Sequence, residues 1–165
     1  MGHDGVGGVL RRGALDGLVS GALGALVMSG GEWLEQRLTG RPDSYVPART
    51  LERLLGLHER PREQSRAVNL AMHYGQGALV GAVRGVMASA GLRGPWASGM
   101  FTVVRLTSDQ VLENATGVGA PPWTWPRREA VVDVAHKAVY SIVTGLVSDG
   151  WIAPALTSRR GRRSH

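Results

Sequence analysis

The residues of this chain best suited to chemistry are carboxylates, histidines and lone cations set among apolar neighbours. Wound as an α-helix at ~100° per residue, Ala130 to Trp151 brings Lys137, Tyr140, Thr144 and Ser148 to within about 60° of Asp133, with His136 on the same edge. His73 and Gln76 share a face of Asn69 to Leu92 with Asn69, and Arg84 lies close to that face. Arg105, Asp109 and Glu113 share a face of Trp96 to Ala115 with Ser98 and Thr102, and Glu32 and Glu35 close the first apolar stretch. Histidine titrates between about pH 5 and 8. Ionisable groups inside apolar helices face one another or a hydrated interior, where they relay protons or hold ions. The set therefore suits a proton, ion or small-solute site. The same residues would equally serve to tie helices together through hydrogen bonds and ion pairs.

Other chemistry is poorly served. Asp133-x-x-His136 has the i, i+3 spacing of carboxylate-bridged metal sites in helical bundles, yet the matching position on the earlier helix is Leu70. His73, Asp133 and His136 thus form an incomplete metal set, and two histidines at matched depth would at most suit axial haem ligation. No metal or other cofactor is assigned. There is no G-x-S-x-G, P-loop or H-E-x-x-H, and the glycines after Asn69 follow no strand, so catalytic residues are not expected and neither is an enzyme.

The elements that must position these groups are four long apolar helices, predicted at about 14–37, 67–92, 96–115 and 129–151, within a membrane domain over 14–152. In the last of them the polar stripe is narrow and the rest is Val, Ile, Leu, Ala and Gly, the reverse of a soluble amphipathic helix. Gly17, Gly21 and Gly24 in the first helix, and Gly75, Gly77, Gly81 and Gly85 in the second, give the small faces of helices that pack closely in lipid. They also offer faces through which copies of the chain could join. A cleaved signal peptide is the rival reading of the first stretch, but Asp16 lies inside its apolar core. Residues 1–13 read as a flexible start and 153–165 as a basic tail near anionic lipid. Pro42 and Pro47 break the first connection and Pro61 ends it. Between them Arg49 to Gly56 is a short amphipathic helix with Leu51, Leu54 and Leu55 on one face, suited to the membrane surface or to docking in any fold. Arg93, Gly94 and Pro95 make a tight turn between antiparallel helices. Trp33, Trp123 and Trp125 suit an interfacial aromatic belt.

Composition bounds the rest. The chain has 165 residues, no cysteine, 24 glycines and a formal charge of +6 carried by arginine and the single Lys137. That length is one domain, without disulfides or thiolate metal sites. The mean hydropathy of −0.06 averages apolar stretches with an Arg-rich loop and tail. The basic balance raises nucleic acid or anionic lipid as a partner of a soluble or peripheral helical bundle. No helix-turn-helix or aromatic platform supports nucleic acid, and Glu52, Glu59 and Glu63 interrupt the arginines.

A faint internal echo runs through the chain. Glu32 to Gly40 parallels Asp109 to Gly117, and each is followed by a Pro-containing loop and an apolar helix with an early histidine. Two tandem helical hairpins follow if the echo is real. With four spans, Glu32, Glu35, His73, Asp109, Glu113, Asp133 and His136 converge at one depth. Arg84 and Arg105 lie deeper, Arg105 within reach of Asp109 one turn away. Arginines divide almost evenly between the two sides, and the tail favours both termini inside.

The Gly-rich first helix with its Glu-bearing end, the His73 helix, and Gly117, Pro121 and Pro122 leading through Pro126 to Glu129 and His136 together resemble the YagU-like family of small bacterial inner-membrane proteins. The resemblance covers most of the chain and implies a multi-pass inner-membrane protein linked to acid stress. It supplies no catalytic residues. The Arg-rich first loop and the scarcity of aromatics in the last helix depart from it.

Overall fold

The computed structural model describes residues 5–57 and 66–155. The first four residues, Glu59, Pro61 and Glu63 of the first connection, and the tail from 156 lie outside the described residues. Among the described residues every regular element is helical and there is no strand. Its elements are α1 (Val6–Thr39), α2 (Val46–Leu54), α3 (Arg66–Ser89), α4 (Gly94–Ala115) and α5 (Arg127–Trp151), with a single 3-10 turn over Pro122–Thr124.

The start expected to be flexible is instead helical from Val6. The physical reason is a seam of glycines. A Cβ on Gly13 would lie 2.9 Å from the Gly85 carbonyl oxygen, and one on Gly17 would lie 2.5 Å from that of Gly81. Gly21 meets Gly77 and Gly81 in the same register. α1 and α3 therefore touch backbone to backbone, antiparallel, and the contact reaches back to Gly13. The glycine faces that could have joined copies of the chain are used inside it, while Gly24 packs on Tyr140 and Thr144 of α5 and Gly75 faces open space. α4 packs chiefly on α5, and α1 against α5 joins the two pairs.

Both segments of the internal echo end helices in the same way. Gly40 (φ 71°) and Gly117 (φ 66°) take left-handed backbone that closes α1 and α4. Pro47 does not break the first connection; it lies in the first turn of α2, where a missing N–H costs nothing. Asn69 of α3 holds α2 in place: it accepts from the Ala48 N–H at 3.0 Å and donates to the Ser44 carbonyl at 3.1 Å. α2 buries Ala48, Thr50 and Glu52 and exposes Leu54, Leu55 and the following Leu57.

That inversion holds for the whole molecule. The buried apolar cluster is small, with Ala25, Met28, Phe101 and Tyr140 at its centre. Arg84, Arg105, Asp109, Lys137, Ser141, Thr144 and Ser148 are buried, whereas Leu79 and Leu146 are each 69% exposed and Val103, Val131 and Ile142 also face out. In water each such Leu, Ile or Val would forgo about 1.5–3 kcal/mol of burial. A contiguous surface of this kind marks contact with a membrane or a partner. α1 and α5 are long and apolar enough to cross a membrane by length and composition. α3, α4 and α5 have lengths of roughly 33–38 Å at 1.5 Å per residue, close to a hydrocarbon core of about 30 Å. Exposed Trp33 and Trp123 stand at the end that carries α2 and the Pro/Trp loop; exposed Trp96 and Trp151 stand at the end of the α3–α4 turn.

Candidate functional site

α5 supplies the floor of the site. Its predicted polar stripe is the buried one: Lys137, Tyr140, Thr144 and Ser148 all face inward. Lys137 Nζ donates to both oxygens of Asp133, one turn earlier, at 2.6 and 2.7 Å. The same ammonium reaches Asp109 of α4 at 3.3 Å. Asp109 also receives Arg105 of its own helix at 3.4 Å, the expected one-turn pair, and a 2.7 Å hydrogen bond from Gln76 Nε2 of α3. The Arg105 guanidinium lies 4.9 Å from the centre of the Tyr140 ring, and Tyr140 Oη donates to the Gly77 carbonyl at 2.5 Å. Three helices thus converge on one carboxylate that is almost fully buried.

Glu113, one turn beyond Asp109, is half-buried beneath the Val118–Gly119 turn, whose two N–H groups donate to its carbonyl. Its carboxyl interacts electrostatically with Lys137, Asp109, Asp133 and Arg105. Asp109, Asp133 and Glu113 therefore share two cations, Arg105 and Lys137. His73 adjoins this cluster and makes a 3.0 Å hydrogen bond between Nε2 and Ser29 Oγ of α1.

The remaining expected members are less central. Glu32 and Glu35 sit at the cluster's edge, Glu32 close enough to His73 to act on it and Glu35 close enough to feel His136. The chain reverses at Gly40, and Arg41 folds back to meet Glu35 at 2.8 Å and Glu32 at 3.6 Å. Beyond the uncharged stretch of α1 from Gly17 to Gly31, the Glu35 carboxyl is held below its usual range, first by the Thr39 hydroxyl and then by Arg41. His136 is half-buried at the cluster's edge, close enough to Glu35 to act on it. Among the described residues no three His, Asp or Glu side chains converge in a way that could hold a metal. Asp133 is engaged by Lys137 and His73 by Ser29.

Arg84 belongs to a second cluster near the α3–α4 turn. It is fully buried and reaches Asp149 at 2.8 Å and the Leu92 carbonyl at 3.3 Å. Asp149 also accepts from the Gly94 N–H at 2.8 Å, which caps the start of α4. Arg93 donates to the Ile152 carbonyl at 2.7 Å and to the Asp149 carbonyl. Asp149 was not among the expected site residues. The inner hydroxyls of Ser141, Thr144 and Ser148 lie along α5 between the two clusters.

The cluster around Asp109 opens sideways. Between α4 and α5, under Trp125, lies a cleft of about 650 Å³ whose lining includes Asp133 and Gln110. Comparisons with family models, with curated proteins and with solved structures give no match.

Proposed function

We propose that this protein is a multi-pass membrane protein whose α1, α3, α4 and α5 cross the bacterial inner membrane and whose polar interior handles protons or a small cation. The observation that carries the reading is the inverted distribution of side chains: ionised groups and hydroxyls inside, leucines and valines outside. Bilayer lipid accounts for both halves of that pattern, since it solvates the apolar exterior and makes the interior the only refuge for charge. α3 and α4 fall short of α1 and α5 as apolar spans, but their Arg84, Arg105 and Asp109 face inward and need not meet lipid.

Proton handling rests on charge balance. Around Asp109 three carboxylates, Asp109, Asp133 and Glu113, share Arg105 and Lys137, and one further positive charge completes the set. A proton is the smallest such charge. Along α5 the hydroxyls of Tyr140, Thr144 and Ser148 continue toward Asp149, a polar column of roughly 24 Å at 1.5 Å per residue. A YagU-like membership and a role in acid stress are consistent with this chemistry and stand as part of the proposal.

Alkaline carbonate washing of membranes from expressing cells tests the location. Retention in the pellet supports it, and release into the supernatant ends the membrane reading. In proteoliposomes with an internal pH dye, the parent protein is expected to carry a pH-driven flux that Asp109→Asn abolishes. A silent parent would leave the cluster with a structural role alone.

A further inference from the structure

The cleft between α4 and α5 has a composition that selects its occupant. Leu106, Val111 and Val134 give it apolar walls, and Trp125 roofs it. The Trp125 ring is fixed by a 2.8 Å hydrogen bond from Nε1 to the Ala120 carbonyl. Val111 and Val134 are themselves exposed, so the cleft is continuous with the apolar outer surface of the molecule. Its volume suits a small amphiphile, since ligand pockets run to about 300–1,000 Å³.

Its polar end is acidic. Asp133 is the one ionisable residue in the lining, with its side chain 30% exposed, and its neighbours there are the uncharged Gln110, Thr107 and Asn114. The Gln110 carbonyl oxygen is buried and receives no donor from the described residues. Behind Asp133 stands a cluster with one carboxylate in excess, so a single positive charge is favoured over none or a negative one. Lys137 keeps Asp109 as a partner at 3.3 Å when Asp133 turns toward a newcomer.

We propose that the cleft binds a lipophilic primary amine, its ammonium meeting Asp133 and its alkyl chain lying along Leu106, Val111 and Val134. A primary ammonium carries three donors, enough to engage both oxygens of the Asp133 carboxylate. The inference rests on the membrane-bundle reading above and names the class of solute for the same site. The amine enters from the side, through the apolar surface, rather than along the helix axes.

The test uses the full chain in lipid nanodiscs, with Trp33, Trp96, Trp123 and Trp151 replaced by Phe so that Trp125 alone reports. Octylamine is titrated against Trp125 emission, with 1-octanol and octanoate as controls for partition and for charge. A saturable change with octylamine only is expected. Asp133→Asn should weaken it about tenfold or more, the size of a lost charge-assisted hydrogen bond. Val134→Phe fills the cleft from an exposed position without touching the ion pairs, and should abolish the response if the ammonium and chain bind as stated. Equal saturable responses to octanol or octanoate, or an octylamine response indifferent to both variants, would overturn the proposal. Carbonate washing of the cell membranes from which the protein is prepared separates the two failures. A protein that stays with the membrane but ignores octylamine refutes the amine site alone, whereas a protein released by the wash refutes both readings.

Discussion

At one end of the core a single carboxylate, Asp149, serves Arg84 and the Gly94 N–H, one oxygen to each, while Arg93 spans the neighbouring carbonyls. Towards the other end three carboxylates share Arg105 and Lys137, and one of them, Asp133, looks into an open cleft. The first cluster joins the α3–α4 turn to the end of α5 and has no charge to spare on its carboxylate. The second has a surplus and a way in. Buried ion pairs by themselves are weak evidence for either stability or function. What separates a fastening from a site here is the sign of the surplus, two arginines to one carboxylate at the first and three carboxylates to two cations at the second, and access from outside.

The strongest way to break this contrast is Asp149→Ala. It strands a fully buried arginine, and the loss should be on the order of 3–5 kcal/mol, read as a large fall in thermal stability in detergent. Adding Arg84→Leu should restore most of it, because the uncompensated charge is then gone. A double variant as unstable as the single would mean that Asp149 serves the start of α4 rather than the arginine. Asp109→Asn should cost less, about 1–3 kcal/mol, since the amide oxygen still accepts from Gln76 while the charge between Arg105 and Lys137 is lost. Thermal unfolding measures that too, beside the loss of flux. Glu113→Gln should change stability by less than ~1 kcal/mol, and upward, because it relieves repulsion among like charges. A fall as large as that of Asp109→Asn would erase the distinction between the paired and the surplus carboxylate.

The smallest effect belongs to Glu35, at the edge of the second cluster. Its carboxyl is depressed by Thr39 and then Arg41. The stability that this contact contributes is therefore present above the usual carboxylate value and lost as pH falls through the lowered one. Thr39→Val should move the Glu35 midpoint back up, as followed by carboxyl carbon NMR. An unmoved midpoint would assign the depression to Arg41.

Helix periodicity made α5 legible: an apolar surround with one polar stripe can only be satisfied by burying the stripe, and Lys137, Tyr140, Thr144 and Ser148 are indeed inside. The one-turn spacing of Arg105 and Asp109 gave their pair for the same local reason. What failed was non-local. At ~100° per residue Asp149 falls about 160° from Asp133, off the stripe, and only the fold of the α3–α4 turn brings Arg84 and Gly94 to it. Nothing short-range reveals that Arg41 returns to Glu32 and Glu35. Gln110, adjacent to Asp109 in sequence, projects into the cleft on the other side of α4. The glycines before Gly17 read as looseness because their partner, Gly85, is far away in the chain.

That glycine seam has a mechanical consequence. Gly13, Gly17 and Gly21 meet Gly77, Gly81 and Gly85 without rotamers to lose or to rearrange. α1 and α3 are therefore joined as a stiff plate, its contact made of backbone alone. α4 and α5 meet through side chains and ion pairs that can be exchanged one for another. A molecule built this way is expected to flex by swinging α4 against α5 while the plate stays still. Slower amide hydrogen exchange along Gly13–Gly24 and Gly77–Gly85 than along Thr102–Gln110 would display it.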